Sequence, residues 1–322
     1  MDSILVGTLI ASTLRVATPL ILCALAGVLA ERSGVIDLAL EGKMLFAAFA
    51  AAAAGVALGS TTVALLVACG VAISLSWLHG FACVSHRGDQ VVSGMAINII
   101  ASGLTVVLGI AWFSQGGQTP PVGENVRLRA LWPGAAAALH DIPWIGDILG
   151  EGLLSHNALV YVTLLLVAAV WWLLYRTSLG LRLRAVGENP HVVEAAGLSP
   201  LRLRYLALTL NGTLCGLAGA YLVLAQSAAF GPNMTAGRGY MALAAMIFGH
   251  WRPFPALGAC LLFGFLDTVA VRLQGVKLPH IGEVPVQAIQ ALPYVLTVVL
   301  LAGFIGRNVA PAALGRPYLK EH

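Results

Sequence analysis

The chain has 322 residues, of which 59% are hydrophobic and only 10% are charged, and its mean hydropathy is +0.87. Because soluble domains carry about 25% charged residues, this composition excludes a protein whose surface lies mostly in water. The net charge of +4 comes from basic residues scattered between apolar runs, a pattern that indicates membrane topology and not nucleic-acid binding.

Eight apolar runs are candidates to cross a bilayer, and a shorter one is a doubtful ninth. Since about 20 helical residues span the hydrocarbon core, the chain has room for about eight to ten crossings and for no separate soluble domain. We therefore predict an all-α polytopic membrane protein with a single transmembrane domain over residues 1–322. The runs cover residues 4–30, 45–58, 61–84, 91–113, 158–175, 205–226, 255–273 and 286–305, with the ninth at 240–249.

The second and ninth runs are short, and each adjoins a glycine-rich polar segment. Interrupted segments of this kind often hold the substrate in transporters, because protein or a cavity satisfies their backbone. The segments also resemble each other: residues 41–44 read Glu-Gly-Lys-Met and residues 238–241 read Arg-Gly-Tyr-Met, each before an Ala-rich helix. The pattern marks either an inverted repeat or a chance recurrence in a biased sequence.

The connecting loops predict the orientation in the membrane. The loop at 176–204 carries five arginines and is expected on the cytoplasmic side. Counting crossings outward places the tail at 306–322 on that same side and the loop at 114–157 outside. The same count places the N-terminus outside if the ninth run crosses the membrane and residues 34–43 do not cross it.

Polar side chains near or inside apolar runs are the candidates for solute contact, because a charge at a helix centre costs about 2.5–3.5 kcal/mol on insertion scales. Asp37 and Glu41 are four residues apart and would share a helix face, either to bind solute or to pair with cations. Asn98 and Asn211 could hydrogen-bond a nucleobase or sugar, or could join helices to each other. Arg238, in the second interrupted segment, completes the candidate pathway.

Arg15 and Asp267 also lie inside apolar runs, and we interpret them as a structural ion pair. The five cysteines lie in apolar segments without a CxxC pair, so we interpret them as packing residues, with no disulfide or metal site. The sequence contains no GxxxxGK[ST] motif, no HExxH motif and no recognisable Ser/His/Asp arrangement. It therefore predicts neither an ATP site nor a hydrolytic site in this chain.

The predicted cytoplasmic loop contains a segment with its own start and stop signals. Residues 179–190 read LGLRLRAVGENP, and residues 194–197 read EAAG. An Asn cap, a Pro in the first turn and a terminal Gly predict a short helix. The loop resembles the permeases of branched-chain amino acid, ribose and nucleoside uptake systems among ATP-binding-cassette importers. There the segment looks like the coupling helix that docks into the ATPase subunit, although an ordinary amphipathic helix is the alternative. The resemblance assigns the coupling role to Glu188, Asn189, Pro190, Glu194 and Gly197.

The resemblance extends along most of the chain. Residues 31–38, 41–44, 90–98, 234–244 and 248–249 resemble the nucleoside and simple-sugar branch of this family. The resemblance departs at Asp37, where family members usually have Asn. It implies a multi-pass permease of the bacterial inner membrane that pairs with itself or with a second permease. It also implies an extracytoplasmic solute-binding protein and ATPase subunits that use ATP and Mg²⁺, while this chain binds no cofactor and is not an enzyme.

We therefore expect the permease subunit of an importer for nucleosides or related small solutes, working by alternating access. The alternative is an ion-coupled secondary transporter that uses Asp37, Glu41 or Asp267 as its coupling carboxylate. A third class is a structural membrane protein without a solute path. An ATPase and a second permease found with this chain would distinguish the first class from the others.

Overall fold

The computed structural model describes residues 3–132, 134, 146–273, 277–278, 282–283, 291, 295 and 310–319. The predicted run at 286–305 therefore lies almost entirely outside the described residues. Parts of the predicted extracytoplasmic loop at 114–157 and of the tail at 306–322 lie outside them as well.

Ten α-helices, two of them extended by π-helical turns, make up most of the described chain. A further π-helical segment covers Gly146–Leu154, and a two-residue antiparallel pair joins β1, Lys277–Leu278, to β2, Gly282–Glu283. The π-helical turns Phe81–Ser85 and Leu222–Ser227 continue α3 and α8. The helices are α1 (Ser3–Arg32), α2 (Leu40–Leu58), α3 (Thr61–Gly80), α4 (Gln90–Phe113), α5 (Ala158–Arg176), α6 (Ser178–Glu188), α7 (Pro190–Ala195), α8 (Pro200–Tyr221), α9 (Arg238–Phe248) and α10 (Pro253–Leu273).

Seven of the helices in the described residues are long and apolar enough to cross a membrane: α1 to α5, α8 and α10. They confirm the predicted all-α polytopic fold. The doubtful ninth run becomes α9, whose 11 residues reach only about 16 Å and are too short to span a bilayer alone.

Helix α2 begins five residues earlier than predicted, at Leu40 instead of residue 45, and so reaches 19 residues. The predicted crossing was the apolar run alone, and Glu41 and Lys43 precede that run in the sequence. The structure accommodates both, since each has a partner of opposite charge or a set of hydrogen-bond donors. The segment at 41–44 is therefore the first turn of a spanning helix.

Three helices form the core and four surround it. Helices α1, α2 and α8 are largely buried, whereas α3, α4, α5 and α10 leave most of their surface exposed. Helix α1 packs against α8, α9 and α10, and α2 packs against α3, α4 and α8. Since the exposed faces are rich in Leu, Ile, Val and Trp, they are suited to contact lipid.

The contact between α3 and α8 depends on glycines. A Cβ atom added at Gly216 would lie 2.5 Å from Cys69 Cα, and one added at Gly212 would lie 2.6 Å from Ile73 Cα. The two backbones approach each other as closely as small-residue helix pairs do in membranes. This approach places Asn211 of α8 beside the first turn of α2.

Candidate functional site

A cavity of about 320 Å³ lies where α2, α4 and α9 meet. Its polar groups come from all three helices and from the loop that precedes α9, and its apolar walls come from α2 and α4. Such a mixture of apolar walls and a few convergent polar groups is typical of small-molecule sites. Six of the lining residues matter most here: Glu41, Asn98, Ile99, Ser102, Thr235 and Tyr240.

Glu41 joins the first turn of α2 to the N-terminus of α9. Its Oε1 accepts a hydrogen bond from the Gly237 amide at 2.8 Å, and its Oε2 accepts one from the Gly239 amide at 2.6 Å. These amides belong to the positive end of α9, where a carboxylate is stabilised by the helix dipole. A Cβ added at Gly239 would lie 2.5 Å from the Glu41 nitrogen, so only glycine allows this approach. The two similar tetrapeptides of the sequence thus meet at the cavity.

Asn98 connects α4 to both neighbours. Its Oδ1 accepts from the Gly42 amide at 2.8 Å, which satisfies one of the free donors at the start of α2. Its Nδ2 donates to the Leu38 carbonyl at 2.8 Å and to the Tyr240 hydroxyl at 2.9 Å. Asn98 therefore fixes the polar side of the cavity and leaves the Tyr240 hydroxyl positioned on its wall.

Asp37 and Asn211 lie in a separate buried cluster around Lys43. The Lys43 Nζ is 2.7 Å from Asp37 Oδ2, and both side chains have 0% exposure. The same ammonium donates to Asn211 Oδ1 at 3.0 Å, and Ser76 donates to that oxygen at 3.1 Å. Burial alone would raise the pKa of Asp37, but the Lys43 charge holds this pKa below its ordinary value. Neither Asp37 nor Asn211 lines the cavity.

His79 fixes the turn between α1 and α2. One ring nitrogen lies 2.9 Å from the Ile36 carbonyl oxygen and the other lies 3.0 Å from Ser93 Oγ. The sequence interpretation passed over this residue, although an ionisable side chain inside an apolar run is a signal of a polar contact. Tyr240, Ser102 and Thr235 were also missed, because hydroxyl groups in apolar helices carry no comparable signal.

The expected ion pair between Arg15 and Asp267 was wrong. Arg15 is exposed, and the ion pairs among the described residues do not join it to Asp267. The Arg15 side chain leaves α1 at an exposed position, from which a long basic side chain can extend towards water instead of pairing with a buried carboxylate. Arg238 begins α9 next to the cavity but is not among its lining residues.

The predicted coupling segment forms the short helix α7. Asn189 Oδ1 accepts from the His191 and Val192 amides at 3.1 and 3.3 Å, and Pro190 occupies the first turn. Gly197 ends the segment with φ of +78° and donates its amide to the Glu194 carbonyl at 2.8 Å. Val192 is 62% exposed, so this helix leaves an apolar side chain on the surface instead of burying it.

Comparison with known proteins places the whole chain in one family. Residues 9–304 match the family described as the permease component of branched-chain amino acid transport systems. The chain is 35% identical over 325 residues to the guanosine ABC transporter permease protein NupQ of Bacillus subtilis, with 98% of each chain covered. It is 36% identical over 320 residues to the nucleoside ABC transporter permease protein NupC of Lactococcus lactis, with 97% of each covered.

A third relative is the putative glucose ABC transporter permease protein TsgC13 of Haloferax volcanii, at 31% identity over 97% of this chain and 98% of that protein. No solved structure matches the chain. The family match over residues 9–304 agrees with the seven helices that are long and apolar enough to cross a membrane. The chain belongs to the family of permease components of branched-chain amino acid transport systems.

Proposed function

We propose that this chain is the membrane-spanning permease subunit of an ATP-binding-cassette importer for nucleosides. The observation that carries the proposal is the polar-sided cavity between α2, α4 and α9, in a chain that matches guanosine and nucleoside permeases along nearly its full length. A permease of this kind moves solute and leaves ATP hydrolysis to a partner subunit.

The chemistry of the cavity suits an uncharged solute with several hydrogen-bonding groups. Asn98, Ser102, Thr235 and Tyr240 contribute amide and hydroxyl groups, which match sugar hydroxyls and the edges of a base. Ile99 and Met95 contribute apolar surface that a base ring can cover. The Glu41 carboxylate accepts hydrogen bonds from two backbone amides at the start of α9. Its charge is stabilised by these amides, so the cavity does not require a cationic solute.

The energy for transport enters through α7. We propose that Glu188, Asn189, Pro190, Glu194 and Gly197 present this helix to a cytoplasmic ATPase that binds ATP and Mg²⁺. Closure of two such ATPases would move α7 and convert the cavity between outward-facing and inward-facing states. A second permease, identical or similar, completes the pathway, and an extracytoplasmic binding protein delivers the solute.

Two of the three carboxylates that the ion-coupled alternative could use, Asp37 and Glu41 but not Asp267, are already engaged by other groups. Asp37 is ion-paired with Lys43 in the buried cluster, and Glu41 accepts two hydrogen bonds from the start of α9. Protonating either one would break contacts that hold α2 in place. Both carboxylates are therefore better suited to a structural role than to cycles of proton or cation binding.

The solute proposal is tested by uptake into proteoliposomes that contain the permease, its ATPase and the binding protein. We expect guanosine to enter when ATP is present, and we expect Tyr240→Phe to reduce uptake because the ring remains while its hydroxyl is lost. Tyr205→Phe is the matched control, since the Tyr205 hydroxyl bonds Ser85 and lies away from the cavity. Uptake of leucine but not of guanosine would contradict the nucleoside assignment.

The coupling proposal is tested with Glu194→Lys and Gly197→Pro. We expect both variants to reach the membrane at normal abundance and to lose ATP-driven uptake, because charge or backbone shape changes at the docking helix. Glu124→Lys is the control, because Glu124 is an exposed carboxylate on the predicted outer loop. Uptake at the wild-type rate by the two α7 variants would rule out the docking role.

A further inference from the structure

The described part of the C-terminal tail, residues 310–319, is bound to the segment that ends in α7. The Ala313 amide donates to the Gly187 carbonyl at 2.9 Å, and the Ala312 amide donates to Glu188 Oε2 at 3.2 Å. Farther along, the Tyr318 ring lies 5.5 Å from the His191 ring of α7. Tyr318 is only 6% exposed, so this end of the tail is packed and not loosely attached.

The same tail is bound to the turn between α1 and α2. The Gly315 amide donates to the Gly34 carbonyl at 3.2 Å. Gly34 and Gly315 both have positive φ, at +87° and +75°, conformations that favour glycine. A Cβ added at Gly315 would lie 2.8 Å from Ile36 Cδ1, so a larger residue would push the tail off the turn.

A buried cation makes the tail necessary at this junction. Arg204 of α8 has 0% exposure, and the ion pairs among the described residues include none that neutralises it. Both terminal nitrogens of its guanidinium lie 3.4 Å from the Arg316 carbonyl oxygen. Since an unsatisfied buried charge is costly, the tail carbonyl stabilises the protein at a place where no acidic side chain of the described residues does so.

The turn held by the tail leads directly into the cavity wall. Ile36 is fixed by Gln90 and His79, Asp37 is paired with Lys43, and Glu41 and Gly42 line the cavity. Only seven positions separate Gly34 from Glu41. The tail thus contacts the coupling segment on one side and the turn before α2 on the other, and it reinforces a direct backbone contact between Gly187 and that turn.

We propose that residues 310–319 are a positioning strap that fixes α7 to the turn before α2, so that displacement of α7 moves the cavity wall. This inference rests on the proposed importer function and adds to it the element that transmits the movement. Removing the strap should prevent the movement of α7 from reaching the cavity while the ATPase stays attached. This outcome would distinguish the strap from the docking surface.

The test uses the complete importer, purified with its ATPase and binding protein, and two altered permeases. In the first, residues 310–322 are deleted; in the second, Gly315→Val disturbs one contact, because a β-branched residue is strained at positive φ. Leu319→Ala is the matched control, since Leu319 is a tail residue whose side chain is 54% exposed. Membrane abundance, ATPase copurification, basal ATP hydrolysis, and stimulation by solute-loaded binding protein are measured for each.

We expect both altered permeases to retain the ATPase and its basal hydrolysis. Stimulation by loaded binding protein should fall on the order of tenfold, within the usual range of coupling energies. Wild-type stimulation in Gly315→Val would overturn the proposal, even if the deletion lowers abundance. Loss of the ATPase from the Gly315→Val complex would also overturn it, because the tail would then belong to the docking surface. A wild-type permease that copurifies no ATPase would instead contradict the proposed importer function.

Discussion

Three charged residues in the interior of this protein are satisfied by short-range protein partners. Lys43 is matched by Asp37, Glu41 by the amides of Gly237 and Gly239, and Arg204 by a tail carbonyl. In each case the partner also joins two parts of the fold. Charge in the membrane region therefore specifies how segments are placed, a role that polar groups have in other buried environments.

Replacing Lys43 by Met should destabilise the protein by about 3–5 kcal/mol, because Asp37 would remain buried and charged without its partner. The measurement is thermal unfolding of the purified variant in detergent. Asp37→Asn combined with Lys43→Met is the control, because it removes both charges at once. We expect the double variant to be more stable than Lys43→Met, and additive losses would contradict a direct pairing.

Two kinds of specific contact add to the hydrophobic packing between the helices: close backbone approach at glycine, and hydrogen bonds at helix ends. The α3–α8 pair depends on the first kind, through Gly212 and Gly216. The α2–α9 pair depends on the second, through Glu41. Both kinds require particular residues, so neither contact can be replaced by general hydrophobic packing.

Gly216→Leu should separate α3 from α8, since its added atoms would collide with the backbone at Cys69. Overpacking of this kind costs about 1–3 kcal/mol, and a backbone clash lies at the upper end of that range or beyond it. We expect a lower thermal midpoint and less folded protein in the membrane. Gly70→Leu on α3 is the control, because a Cβ there meets no atom within 4 Å. Equal effects of the two substitutions would contradict the close contact.

The sequence predicts local elements well and long-range partners poorly. Helix α7 was foreseeable because its cap, Pro190 and Gly197 all lie within a few residues of it. The cavity was foreseeable only in part: Glu41 and Asn98 line it, but Asp37, Asn211 and Arg238 do not. The bonds from Glu41 to α9 join residues 196 and 198 positions apart, and no periodicity in the chain encodes such a pairing. The start of α2 was misplaced for the same reason, because its charges are neutralised by partners that composition does not reveal.

At the scale of the whole molecule, the predicted sides of the membrane decide whether α7 can meet a cytoplasmic ATPase. The loop at 176–204 is expected inside because of its arginines, and the loop at 114–157 is expected outside. The tail contacts the segment around α7. The tail and α7 therefore lie on the same side of the membrane, and an experiment that locates one of them also locates the other.

Labelling of single introduced cysteines tests this orientation. We expect Glu124→Cys to react with a membrane-impermeant maleimide on intact cells, and Arg182→Cys to react only after the membrane is opened. Both positions are exposed, and Cys69 is replaced by Ser in each variant because it is the one half-buried native cysteine. The reverse labelling pattern would place α7 on the outer side and would exclude its proposed coupling role.

We expect the ion pair between Asp37 and Lys43 to affect how the chain enters the membrane during synthesis. A lysine at the centre of a nascent helix costs about 2.5–3.5 kcal/mol at the insertion step, and the cost is smaller near a helix end, where Lys43 lies in the first turn of α2. Its carboxylate partner lies only six residues earlier in the chain, so both charges reach the translocon together. The Asn211 contact comes 168 residues later. Lys43 can therefore be neutralised as soon as α2 emerges, before α8 and its Asn211 are synthesised.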